Sequence, residues 1–139
     1  MENKAPWHLW VVGGLSLLWN GFGCFDFMMT ATQNAAYLKS HPPELLDYWA
    51  NMPAWRWTAW SIGVFGALLG SVALLGRKRS ALILFSASLL GALISMTAAN
   101  LDKTAPKAEG GLVFSLVIIG IAALLAIYAW WQARRGTLV

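Results

Sequence analysis

Asp26 is the only acidic residue in the first long apolar segment, and it stands in a polar stripe. Residues three, four or seven apart share a helix face. That spacing groups Trp19, Gly23, Asp26, Thr30, Gln33 and Tyr37, with Asn34 at the edge of the same face. A carboxylate at membrane depth is costly and normally faces a bundle interior, a cavity or a partner charge. One reading is a proton or ligand site in a cavity opening outward, lined by Trp19, Thr30, Gln33, Tyr37 and Trp60. The competing reading is a paired, boundary-level carboxylate that locks the bundle. Asn20 lies near the bilayer middle, rotated away from Asp26, and its amide needs partners on a neighbouring helix.

Depth counting nominates a partner for Asp26. Entering at Trp7, Asp26 is about 28 Å along the axis at 1.5 Å per residue. Counted back from Gly76, Arg56 is about 30 Å up the second span. An Asp26–Arg56 ion pair is therefore expected at the outer end of the first two spans.

Other chemistry finds less support. His41, Glu44 and Asp47 match no metal-ligand spacing, and Pro42-Pro43 breaks any shared helix. The one cysteine, Cys24, has no partner for a disulfide or a Cys-x-x-Cys site and reads as a small packing residue. No Ser-His-Asp set, phosphate-cradling loop or paired-carboxylate site stands out. The chain is read as non-enzymatic, with no metal and no cofactor.

The elements that must hold the stripe follow from composition. Of 139 residues, 58% are hydrophobic and 12% charged, against about 25% charged in soluble domains. Four apolar segments, about 7–29, 57–76, 80–99 and 112–131, each approach the roughly 20 residues that cross a bilayer. A buried soluble bundle would need a charged face on each helix, and segments two to four have none. The expectation is an all-α membrane protein, one four-helix domain over residues 1–139. The first span is expected to be retained: its apolar run exceeds a signal-peptide core, and only Lys4 precedes it.

The first outer loop, about 31–55, is the largest polar feature. Helical character is expected to continue from Asp26 through Leu38, with no break before Ser40. Pro43 then suits the first turn of a short amphipathic helix, Glu44 to Ala50. There Leu45, Leu46, Tyr48 and Trp49 would dip into the interface while Glu44 and Asp47 face water. The third loop, with Pro106 and Gly110-Gly111, reads as a flexible connection. Small residues mark close helix contacts: Gly66, Ala67, Gly70 and Ser71 on the second span, Ser88, Gly91, Ala92, Ser95 and Ala99 on the third.

Orientation comes from Lys and Arg in the short loops. Lys4, Arg77, Lys78, Arg79, Arg134 and Arg135 lie on one side, and Lys39, Arg56, Lys103 and Lys107 on the other. The acids gather opposite the larger basic group, with Glu109 among them and only Glu2 on the basic side. Both termini are placed inside. Eight of the nine tryptophans agree, Trp7, Trp10, Trp130 and Trp131 at the inner boundary and Trp49, Trp55, Trp57 and Trp60 at the outer, and only Trp19 lies deep. The net charge of +4 is thus a topology signal, and no basic face of a folded domain points to nucleic acid.

The run Trp19-Asn20-Gly21-Phe22-Gly23, Phe25-Asp26-Phe27 and Thr30 through Leu38, followed by Pro53-Ala54-Trp55, resembles small four-span bacterial membrane proteins often labelled as sugar transporters. The resemblance covers roughly the first 60 residues. It implies a bacterial inner membrane and marks the polar stripe as the family's feature. A chain this short would have to form a homo-oligomer to build an alternating-access path. Two functions are expected in order: small-solute transport or ligand binding through the stripe, and a non-catalytic accessory role in a larger membrane complex. In both, the bilayer is the first partner.

Overall fold

The computed structural model describes residues 4–106 and 111–139. Glu2, Lys107, Glu109 and Gly110, used above for orientation and for the third loop, lie outside them. The chain is all-helical: α1 Trp7–Ala31, α2 Ala35–Leu38, α3 Pro43–Ala50, α4 Ala54–Leu75, α5 Ser80–Leu101 and α6 Gly111–Arg134. Helices α1, α4, α5 and α6 are long and apolar enough to cross a bilayer, making this a multi-pass membrane protein.

Local rules set the helix ends. Pro6, Pro42 and Pro53, each extended with ψ near 151°, 142° and 154°, precede α1, α3 and α4. Proline fixes φ without spending a hydrogen-bond donor that the first turn lacks a partner for. Three helices stop in one way, with the residue after the cap in the left-handed region: Gln33 at φ 55°, Arg77 at 57° and Gly136 at 77°. At each stop two amides turn back onto the last carbonyls. Gln33 N donates to Thr30 O and Asn34 N to Met29 O, at 3.2 and 3.0 Å. Arg77 and Lys78 repeat this on Leu74 and Ala73, and Gly136 and Thr137 on Ala133 and Gln132. These are Schellman closures.

This corrects the expected continuous helix to Leu38. The Thr32 hydroxyl also bonds back to Met28 O, and Asn34 caps a separate α2 by accepting from Tyr37 N at 3.0 Å. Such side chains offer the backbone an alternative to helix and favour caps.

The spans pack in chain order. The α4–α5 interface is the most extensive, followed by α1–α4 and α5–α6. Glycines set the α4–α5 distance. A Cβ on Gly91 would sit 2.8 Å from Ala59 O and 2.9 Å from Gly63 N, and one on Gly66 would sit 3.3 Å from Leu84 O. The Ser88 hydroxyl donates to Gly63 O at 2.6 Å. The small-residue motif therefore serves contacts within the chain. At the end carrying the termini, Leu9, Leu74, Ala81, Phe85, Leu125, Ala129, Ala133 and Leu138 form a closed apolar cluster. There α1 meets α6: His8 shares a 2.6 Å hydrogen bond with the Tyr128 hydroxyl and stacks on Trp131 at 5.9 Å.

Candidate functional site

Towards the opposite end, capped by α2 and α3, the four spans line a cavity of about 390 Å³. Helix α1 contributes Trp19, Asn20, Phe22, Gly23 and Asp26. Helix α4 adds Arg56 and Trp60, and α5 adds Ser88, Ala92 and Ser95. The far wall is α6, from Phe114 to Leu125. Tyr48, Trp49 and Met52 reach in from the cap. On α5, Gly91 and Ser88 bring α4 close, while Ala92, Ser95 and Ala99 leave open space beside them.

Arg56 governs the polar end. It is only 5% exposed. Its Nη1 donates to the Tyr48 hydroxyl at 2.8 Å, and Tyr48 donates to Asp102 Oδ2 at 2.8 Å. Nη1 also lies 3.6 Å from Asp102 Oδ2, and the guanidinium rests over the rings of Tyr48 and Trp55. Its Nε finds no hydrogen-bond partner among the described residues. A guanidinium proton buried without an acceptor is costly, and Arg56 is one of the residues that line the cavity.

The expected Asp26–Arg56 pair is therefore corrected: the acid beside Arg56 is Asp102. The α4–α5 hairpin brings the first turn of α4 against the last turn of α5, and Asp102 caps α5 there. Hydrogen bonds from the Thr104 hydroxyl, Tyr48 and the Thr104 amide hold the Asp102 carboxyl down at about 2, so it is a carboxylate at neutral pH. Asp26 instead accepts from the Tyr37 hydroxyl. That bond, with burial and the nearby charge, pushes the Tyr37 phenol up to about 12, which keeps it a neutral donor.

The stripe on α1 divides. Trp19, Gly23 and Asp26 line the cavity, joined by Asn20. Asn20 finds its partners on the neighbouring helix: its amide donates to Ala67 O at 3.2 Å and to the Ser71 hydroxyl at 2.9 Å. Thr30 and Gln33 line a separate groove under the cap, bounded by Leu38, His41, Pro43 and Trp49. Asn34 is spent on the α2 cap, and Tyr37 reaches back to Asp26 without lining the cavity. The helix break is the physical reason for Gln33, Asn34 and Tyr37, since beyond it the periodicity of α1 no longer sets direction, whereas Thr30 is still within α1 and lies above the cavity.

Cap residues also differ from expectation. Tyr48 turns in to Arg56 and Asp102, and Trp49 lies against Trp60 at 6.4 Å. Trp57 and Trp60 stack at 5.4 Å around Phe27, which packs edge-on to both and to Phe65. Tyr48 and Asp102 escaped the sequence reading. Depth counting carried over all four spans, rather than two, places Asp102 level with Arg56 and would have nominated it.

No protein-family model, curated protein or solved structure matches this chain, so what the site does is read from its own geometry.

Proposed function

We propose that this membrane protein binds a small ligand in the cavity between α1, α4, α5 and α6. One observation carries the reading. Arg56 is buried, its Nε has no partner among the described residues, and it shares the cavity with the Asp26 carboxylate. A donor and an acceptor lining one mostly apolar pocket is the usual build of a ligand site, and about 390 Å³ lies within the size such pockets have. The reading is a binding site, the first half of any transport cycle, and needs no catalytic group. Lys4, the Arg77-Lys78-Arg79 turn and Arg134-Arg135 gather at the end carrying the termini, which favours that end facing the cytoplasm of a bacterial inner membrane.

Native mass spectrometry of the tagged protein, extracted in mild detergent from its own membrane, tests this. The expected result is a retained non-protein mass, lost or reduced in the Asp26→Asn variant. Stoichiometric co-purification of a larger assembly, with no bound small molecule, would instead establish the accessory role and overturn the proposal. Reporter fusions that place Lys39 inside and Val139 outside would overturn the orientation.

A further inference from the structure

The cavity opens sideways. Phe22 on α1 and Phe114 on α6 both line it, yet they are 67% and 60% exposed, and both lie within spanning helices. Helices α1 and α6 join at the termini end through His8 and Tyr128 but share no extensive interface. Between them, in the half nearer the cap, the cavity meets the surface that the bilayer covers. A ligand can therefore arrive from lipid without passing the cap.

The shape of the walls agrees. From Phe114 to Leu125 the α6 wall runs about 17 Å at 1.5 Å per residue. One leaflet of a bilayer is about 15 Å of hydrocarbon, half of the roughly 30 Å core. Phe85, Ile118, Ile121 and Leu125 make the deep part apolar, while Arg56 and Asp26 stand at the cap end, about 30 and 28 Å along their spans from the termini end.

Charge narrows the headgroup. Arg56 is offset by Asp102, and Asp26 adds a further carboxylate facing the cavity. A net anionic head would meet that carboxylate with no uncompensated cation beside it. An acceptor oxygen satisfies Arg56 Nε, and an N–H or O–H satisfies Asp26.

We infer that the ligand is a membrane amphiphile entering between α1 and α6, with one hydrocarbon tail in the cavity and a net-neutral head that offers both an oxygen acceptor and a proton donor to Arg56 and Asp26. The inference rests on the proposed binding function and names its ligand class. Two sources share this chemistry, a zwitterionic amine head and a hydroxyl-rich head, and a third, anionic, head is the contrast.

The test is competitive retention. Delipidated full-length protein is incubated with equal amounts of three amphiphiles of the same acyl chain: lysophosphatidylethanolamine, monoacylglycerol and lysophosphatidylglycerol. Native mass spectrometry counts what stays bound. One of the two neutral-headed probes is expected to exceed the anionic one by about tenfold, and which one wins identifies the head. Asp26→Asn is expected to erase that preference. Ala122→Phe, which fills the cavity from α6, should cut retention of every probe about tenfold, with Ala92→Leu repeating this from α5 should the first variant fail to fold. Ile127→Phe, on the exposed face of α6, should leave retention unchanged. Equal or preferential retention of the anionic probe overturns the inference, as does retention that ignores the cavity-filling variants. A native water-soluble ligand with no retained amphiphile overturns the inference but leaves cavity binding standing, whereas no ligand of either kind overturns both.

Discussion

Single residues carry the polar end of the bundle, and each has a separable signature. Asp102 is held down from 3.8 to about 2 by Thr104 and Tyr48 in the folded state. Its stabilising contribution is thus complete above pH 3.8 and disappears as pH falls through 2. Asp102→Asn is expected to lower the thermal midpoint at pH 7, and the gap to the parent protein should close as pH falls between those values. A gap that persists at low pH would show that Asp102 acts without its charge. Asn20 works differently, as an uncharged tie between α1 and α4. Replacing it by Leu removes two interhelical hydrogen bonds, and a loss of about 1–2 kcal/mol in a detergent unfolding titration is expected. An unchanged titration would mean that Ser16, Ser71 and the Cys24–Val64 contact suffice to hold that interface.

Helices impose their own limits. Gly91 stands where α5 touches the α4 backbone, and backbone cannot swing aside as a side-chain tip can. Gly91→Ala is expected to cost about 1–3 kcal/mol through overpacking. Gly14→Ala is the matched control, because a Cβ there meets nothing within 4 Å, and it should be neutral or gain up to about 1 kcal/mol of helix propensity. Equal effects from the two would remove close approach as the reason for Gly91. Gln33 poses the opposite case, a side chain in a left-handed turn. A non-glycine residue there costs roughly 1–2 kcal/mol, and Gln33→Gly should recover part of it as a raised thermal midpoint. Ligand retention in that variant should stay at the parent level, because Gln33 lies in the groove under the cap and not in the cavity. The stripe was legible as composition on α1, and its membership was legible up to Asp26, since Thr30 lines the groove under the cap. Past the helix stop, spacing along one axis says nothing about direction, so Gln33, Asn34 and Tyr37 went to three separate tasks.

At the scale of the molecule, one protomer supplies cavity walls from all four spans and from the cap. Ligand retention per protomer is therefore expected to be independent of protein concentration across any range in which a homo-oligomer dissociates, as native mass spectra of a dilution series would show. Retention that falls with dilution would mean that a second protomer completes the site. The sequence by itself determined the four spans, the cap helix begun by Pro43 and the small residues at the α4–α5 contact. Each of these depends on local periodicity, proline stereochemistry or side-chain size, which a linear chain states directly. It also placed Asp26 and Arg56 near one height, since rise per residue is fixed. Height is one coordinate of three. Only the tertiary packing decided that Asp102, at the far end of α5, takes the place beside Arg56, that Tyr37 turns back to Asp26, and that α1 and α6 part to leave an opening towards the bilayer. Azimuth around the bundle is set by which helices touch, and contact between residues as far apart in sequence as Arg56 and Asp102 exists only once the interfaces between helices have formed.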